Sequence, residues 1–254
     1  MSDCCLFCQE RLPRDLEWHH LFTLGPIRFP VLCKECQALF QPLAASELVC
    51  DHCLRPLEKD ASNPFILPYR HKEDVVDYCY DCFKWREQLP INYLRHDVLL
   101  EYNEAVREWL YTYKYQGDVR QSKVVADRLA KVYRQYQDYT WTVLPSSPNH
   151  LKERLFHPTA LLLEEASVPY GFYFDYIGDG KRQAAKTKKQ RLELKQPFEL
   201  RKNSSLPEKL LIFDDLYTTG TTMMKAKECV FNHDPTIDLI SLSLARDSLQ
   251  ETLK

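Results

Sequence analysis

Leu210-Leu211-Ile212-Phe213-Asp214-Asp215-Leu216-Tyr217-Thr218-Thr219-Gly220-Thr221-Thr222 is the stretch on which the fold turns. Residues 210–213 are all apolar and read as a short buried strand, which ends in two adjacent carboxylates. A loop of small hydroxyl residues follows, and residues 221–231 then read as a helix. This order suits an anion. Backbone N–H groups at a helix start, with Thr hydroxyls beside them, cradle a phosphate. Gly220 permits a backbone conformation that a Cβ would oppose. Asp214 and Asp215 stand at the C-terminal edge of the sheet, where open α/β folds take ligands, and can accept hydrogen bonds from sugar hydroxyls. The plainer reading, a helix cap beside an exposed carboxylate, accounts for either Asp but not for the Thr-Thr-Gly-Thr-Thr that follows.

Working outward, strands and helices alternate. Residues 141–144 read as a strand ended by Pro145, 155–166 as a helix, 172–177 as a strand stopped by Gly178-Asp179-Gly180, and 238–244 as a last strand. Earlier in the chain, from Val98, Leu99, Tyr102, Val106, Trp109, Leu110 and Tyr113 recur at helical spacing and predict an amphipathic helix. A second helix is expected over about 120–137. The alternation implies an α/β fold with a mostly parallel sheet. Lys114-Tyr115-Gln116-Gly117-Asp118 reads either as a helix end capped by Gly or as a ligand segment. Trp109, Tyr111 and Tyr113 read as packing residues, and His157 before Pro158 as a surface residue at a helix start. Residues 181–202 carry nine Lys/Arg against Glu193 and Glu199, a local charge of +7, and read as a mobile basic loop.

Nine of ten cysteines lie in the first 82 residues. Eight form CxxC pairs: Cys5/Cys8, Cys33/Cys36, Cys50/Cys53 and Cys79/Cys82. Two such turns complete a tetrahedral zinc site. The intervals between pairs are 24, 13 and 25 residues, and CLFCQERLPRD at 5–15 resembles CDHCLRPLEKD at 50–60. A duplicated unit follows: two zinc ribbons, the first from the first two pairs and the second from the last two. An interleaved pairing does not explain the duplication. Four thiolates leave no open coordination position, so both zinc ions read as structural. They replace a core that the segment lacks. Cys4, His19, His20 and His52 are unneeded as ligands. The texture changes near Pro90, which predicts a double zinc-ribbon module over 1–90 and an α/β domain over 91–254.

Across 254 residues, 34 basic and 36 acidic side chains leave a net charge of −2. This excludes a uniformly basic nucleic-acid binder but not a local basic patch. No apolar run approaches the ~20 residues of a membrane span. No secretory signal opens the chain, so a reducing cytoplasm is expected, where clustered cysteines bind metal.

At IFDDLYTTGTT the chain resembles the phosphoribosyl-pyrophosphate (PRPP) motif of type I phosphoribosyltransferases. The cysteine ribbons, Lys114-Tyr115-Gln116-Gly117-Asp118 and Arg154-Leu155-Phe156 narrow the resemblance to the ComF family of competence proteins. It implies a type I phosphoribosyltransferase-like domain behind the Cys-rich module. Asp214 and Asp215 would bind the ribose hydroxyls. Tyr217, Thr218, Thr219, Gly220, Thr221 and Thr222 would hold the 5′-phosphate. Residues 145–147 would face the pyrophosphate, and magnesium would be held mainly by ligand oxygens. The basic residues Lys114, Arg154, Arg182, Lys186, Lys188, Lys189 and Arg191 would meet pyrophosphate or nucleic acid, with 181–191 as a hood. The family's Arg-Gly-Phe-Asn-Gln stands here as Arg154-Leu155-Phe156-His157-Pro158, and either Gln183 or Gln190 matches the hood glutamine.

Three functions are then expected in order. The first is a competence protein for DNA uptake that binds a PRPP-like ligand and single-stranded DNA. It would work beside a helicase-like ATPase, in the cytoplasm or at the inner face of the membrane. The second is an active phosphoribosyltransferase with an unidentified acceptor. The third is a redox-regulated zinc adaptor, which leaves the Asp-Asp/Thr loop without a task.

Overall fold

The computed structural model describes residues 4–13, 18, 22, 29–43, 46–59, 61–72, 75–88, 95–178, 196–202 and 204–247. Its centre is a four-stranded, wholly parallel sheet in the order β1-β6-β5-β2. The strands are β1 (Arg95–Glu101), β2 (Thr140–Val143), β5 (Lys209–Tyr217) and β6 (Asp238–Arg246). Two shorter strands, β3 (Phe174–Tyr176) and β4 (Phe198–Leu200), form a separate antiparallel pair.

The central strand β5 is apolar without alternation because both its faces are covered. Leu211 and Phe213 join one core with Trp141, Val143, Leu242 and the helices α3 (Glu104–Lys114), α4 (Ala126–Tyr133) and α6 (Pro158–Glu165). Leu210 and Ile212 join the other, with Met223, Ala226 and Val230 of α7 (Thr221–His233) and with Phe174 and Phe198.

The cysteine-rich segment completes both cores. Cys5, Leu6, Leu32, Cys36 and Phe40 belong to the first, and Cys50, Cys53, Tyr78, Cys79, Cys82 and Trp85 to the second. The segment also covers the β1 edge. The amide of His96 donates to the His52 carbonyl at 3.0 Å, and that of Glu101 to Gln41 at 3.1 Å. An uncovered edge would present unpaired backbone groups to other chains.

The helix expected from Val98 starts later. Residues 95–101 are strand β1, alternating in burial, and Val98 and Leu100 point inward by a period of two. Asn103 then caps α3 by accepting from the Val106 amide at 3.0 Å. The helix expected over 120–137 is a 3₁₀ turn (Val119–Val125) followed by α4. That expected over 155–166 is interrupted. A short helix α5 (Pro148–Arg154) ends at Leu155, with φ +63°, and α6 begins at Pro158. His157 caps α6 through its imidazole, which accepts from the Ala160 amide. It is half-buried, not a surface residue.

Leu211 is fully buried in the central strand. Leu211→Ala should therefore cost about 2–5 kcal/mol of stability, read from the midpoint of a denaturant unfolding curve.

Candidate functional site

The eight paired cysteines form two tetrads, Cys5/Cys8/Cys33/Cys36 and Cys50/Cys53/Cys79/Cys82, with all sulfurs of each within 4.8 Å of one another. This is the sequential pairing, not the interleaved one. Sγ···Sγ separations of 3.7 Å (Cys8–Cys33) and 3.6 Å (Cys53–Cys79) match the ~3.8 Å edge of a tetrahedron of ~2.3 Å Zn–S bonds. The duplication extends to the backbone. The amides of Cys5 and Cys50 each donate to the carbonyl five residues on, Glu10 and Arg55. Gln9 and Leu54, each four residues after the first cysteine, both take positive φ, +63° and +57°. The second pairs each begin a helix: Cys33 caps α1 (Lys34–Leu39), and Cys79 precedes α2 (Tyr80–Gln88). The donor sets fit zinc, and both tetrads could hold it. Cys4 lies outside them.

The tetrads differ in surroundings. Cys8 is exposed, whereas all four cysteines of the second tetrad are buried. Four thiolates around Zn²⁺ carry a net charge of −2, which a buried site must balance. Arg246, buried on β6, supplies a cation there. Its Nη1 donates to the Cys53 carbonyl at 2.9 Å, while Nε and Nη2 are buried without a hydrogen-bond acceptor. Burial works against its charge, but Cys53, Cys79 and Cys82 raise its pKa. The His52 imidazole lies 3.2 Å from the Cys82 sulfur.

The core of the second tetrad also holds Tyr217, the end of the strand that carries the Asp-Asp/Thr segment. β5 continues through both carboxylates to Tyr217, so the strand is longer than the apolar run suggested. The chain then bends at 218–220 and enters α7, with Gly220 at φ +75°. A Cβ there would collide with the Tyr217 hydroxyl. The Thr219 and Thr221 hydroxyls hydrogen bond at 2.8 Å. Thr218, Thr219, Thr221 and Thr222 line a cleft of about 380 Å³ together with Asp214 and Asp215. The 145–147 turn, Lys114 and Arg154 line the same cleft. Tyr217 is turned the other way, stacked on His96 at 3.9 Å with the Arg246 guanidinium over its ring at 4.9 Å. Arg182, Lys186, Lys188, Lys189, Arg191, Gln183 and Gln190 lie outside the described residues, as do His19 and His20.

The two carboxylates are not equivalent. Lys114, the last residue of α3, pairs with Asp215 at 2.7 Å. Asp214 accepts from the Asp215 amide at 2.9 Å and from the Thr159 hydroxyl at 3.5 Å. Burial, then the neighbouring Asp215 charge, pushes Asp214 up to about 7, against the pull of Lys114. Lys114 thus joins the site and does not merely end a helix. Gly117, at φ +72°, makes the turn after it.

Past Leu216 the cleft adjoins a groove of about 510 Å³ along α3, the two sharing Lys114, Tyr115 and Leu216. Trp109 and Tyr113 are buried as expected, but Tyr111 is 55% exposed and Tyr115 65%. Their rings lie 5.6 Å apart, and Arg154 covers Tyr115 at 5.2 Å. Tyr111 is therefore not a core residue. Sequence reasoning also missed Trp85, whose indole N–H donates to the Thr219 carbonyl at 2.9 Å. Only its place three residues after Cys82, on the same helix face, could have pointed to it.

No protein-family profile matches the chain. It is 27% identical over 227 residues to a competence protein ComFC of Streptococcus pneumoniae, spanning 88% of this chain and 91% of the relative. It is 25% identical over 247 residues to a competence protein ComFC of Bacillus subtilis, spanning 95% and 94%. Among solved structures, a hypoxanthine phosphoribosyltransferase from Staphylococcus aureus overlaps 51% of this chain and 65% of its own, at 15% identity and a TM-score of 0.30. That overlap is too loose to carry an argument. Over nearly its whole length the chain is ComFC-like, with two Cys₄ clusters before a parallel α/β sheet.

Removing metal from the zinc-loaded protein with a chelator should show two phases of equal amplitude. The fast one belongs to the tetrad with the exposed Cys8 and the slow one to the buried tetrad. A colorimetric zinc indicator measures both.

Proposed function

We propose that this ComFC-like protein acts in DNA uptake during natural transformation, and that its α/β part binds PRPP with magnesium in the cleft. One observation carries the ligand reading. Asp214 and Asp215 open into the same cleft as the 218–222 loop, at the C-terminal edge of a parallel sheet. Carboxylates beside a phosphate cradle suit a phosphorylated sugar. Asp214 and Asp215 would take the ribose hydroxyls, the Thr loop the 5′-phosphate, and the 145–147 turn, with Lys114 and Arg154, the pyrophosphate. Magnesium would be held mainly by ligand oxygens.

The DNA reading is supported by the +7 charge of residues 181–202 and by the two ComFC relatives. A cytoplasmic setting at the inner face of the membrane, beside a helicase-like ATPase, follows from the same resemblance. Among the described residues no helix is long and apolar enough to cross a membrane. A second reading, an active phosphoribosyltransferase, is favoured by one observation: the groove past Leu216 leaves room for an acceptor.

Calorimetric titration with PRPP and Mg²⁺ tests the ligand. Binding is expected, and a flat titration rejects it. Asp214 at about 7 fixes the pH dependence. Below that value the carboxyl is protonated and loses acceptor capacity, and above it the carboxylate accepts fully. PRPP affinity should therefore rise through neutrality, and in Asp214→Asn it should be weaker and lose that rise. A pyrophosphate-release assay over candidate bases separates binding from turnover.

Single-stranded DNA affinity should fall steeply with added salt. Neutralising Lys186, Lys188, Lys189 and Arg191 together should lower it and flatten its salt slope, read by fluorescence anisotropy. An unchanged affinity counts against the basic segment as the DNA contact.

A further inference from the structure

The two tetrads have the same kinds of ligand and the same local turns, yet among the described residues it is the helix of the second that reaches the phosphate loop. Its helix α2 carries Trp85, whose side chain is almost wholly buried. The indole N–H donates to the carbonyl of Thr219 at 2.9 Å. In a trans peptide, the carbonyl and the following N–H point in opposite directions. Holding the Thr219 carbonyl toward the module therefore turns the Gly220 N–H away from it, into the bend that leads to α7. Gly220 is left-handed, at φ +75°. Successive N–H groups around such a residue form a concavity for an anion. One hydrogen bond from the metal module thus sets the peptide plane at the centre of the loop.

A second set of contacts holds the strand end just before the loop. The Tyr217 ring is stacked on His96 and covered by Arg246. Arg246 is tied to the Cys53 carbonyl, and the His96 amide to the His52 carbonyl. The Tyr217 carbonyl accepts from Asp247 at 2.9 Å. Cys53 is a ligand of the second tetrad, and His52 precedes it. Both the loop and the strand that delivers it therefore rest on groups whose positions depend on that tetrad. The first tetrad packs with Leu6, Leu32 and Phe40 into the other core, across the sheet.

We infer that Trp85 is a positioning residue for the phosphate loop, and that metal at Cys50, Cys53, Cys79 and Cys82 sets the loop's affinity for phosphorylated ligand through it. The ligand part of this inference rests on the PRPP reading. Coupling between two sites is reciprocal, so ligand must also tighten the metal.

Trp85→Phe is the test: it keeps an aromatic ring in the core and removes the indole N–H together with part of the ring's bulk, and zinc content and the unfolding midpoint report the packing loss separately. A lost hydrogen bond that leaves a buried carbonyl unsatisfied corresponds to roughly a ten-fold loss of affinity. The variant should keep two zinc ions by metal analysis and bind PRPP·Mg²⁺ about ten-fold more weakly. Amide hydrogen exchange at 218–224 should be faster in the variant without any ligand. In the wild type, PRPP should slow chelator-driven zinc release from one of the two sites, and in Trp85→Phe this protection should shrink. Wild-type affinity with wild-type exchange in the variant would overturn the inference, as would zinc release indifferent to bound PRPP. If the wild type does not bind PRPP but Trp85→Phe opens the loop to exchange, the ligand reading fails while the positioning role stands.

Discussion

A parallel four-stranded sheet has two apolar faces and two edges, here β1 and β2, and all four must be covered. The α/β part does not supply enough cover by itself. The cysteine-rich segment lies across the β1 edge, where its His52 and Gln41 carbonyls accept from the His96 and Glu101 amides. It sends one tetrad into the core on each face. The rest follows from this constraint. A segment with so little apolar bulk of its own can keep a fixed shape only if cross-linked, and metal held by the two tetrads would do this without a large core. A shape fixed in that way can then hold other parts of the chain to within a hydrogen-bond length.

The duplicated halves of the module have diverged in surroundings rather than ligands. The knuckle turns at Gln9 and Leu54 superimpose in logic, each placing a left-handed residue where the chain must reverse. The second half is enclosed by β6, β5 and α2, with Arg246 as its cation. The first keeps an edge in water at Cys8. Burial of a doubly negative centre is costly unless a cation accompanies it. The placement of Arg246 is therefore as much a part of that site as its four sulfurs.

Local signals were legible in the sequence, and long-range ones were not. Each CxxC turn and the strand-carboxylate-Thr loop is a signal carried by a few adjacent residues, and the tetrads pair as the repeat implied, although the strand runs on to Tyr217, which faces away from the cleft. Gly220 takes the positive φ its position demanded. The helix read from Val98 onward holds from Glu104, but Val98–Glu101 are strand: Leu99, Tyr102 and Val106 fall by coincidence at helical spacing, although Val98 and Leu100 are buried with a period of two. Leu155 gave no warning of its left-handed turn, since an exposed Leu is not a residue that favours one. Trp109, Tyr111 and Tyr113 read alike as packing residues, and no short-range pattern says which of three aromatic residues on a helix meets water. Trp85 and Thr219 are 134 residues apart, and Arg246 and Cys53 are 193 apart. Periodicity carries no information about such pairs.

Those separations bear on the order of synthesis. The cysteines are made first, but the groups that enclose the second tetrad come from β5, α7 and β6, the last described elements of the chain. Enclosure of that site therefore waits for those elements, although its four sulfurs all lie within residues 50–82. Its thiols stay open to metal, oxidant and chaperone until the far end arrives, whereas the first tetrad's Cys8 never leaves solvent. Chains fold from the N-terminus as they emerge, and long-range closure is slow. Burial of the second tetrad and seating of the phosphate loop thus draw on the same late elements, so the one is not enclosed before the other has been made.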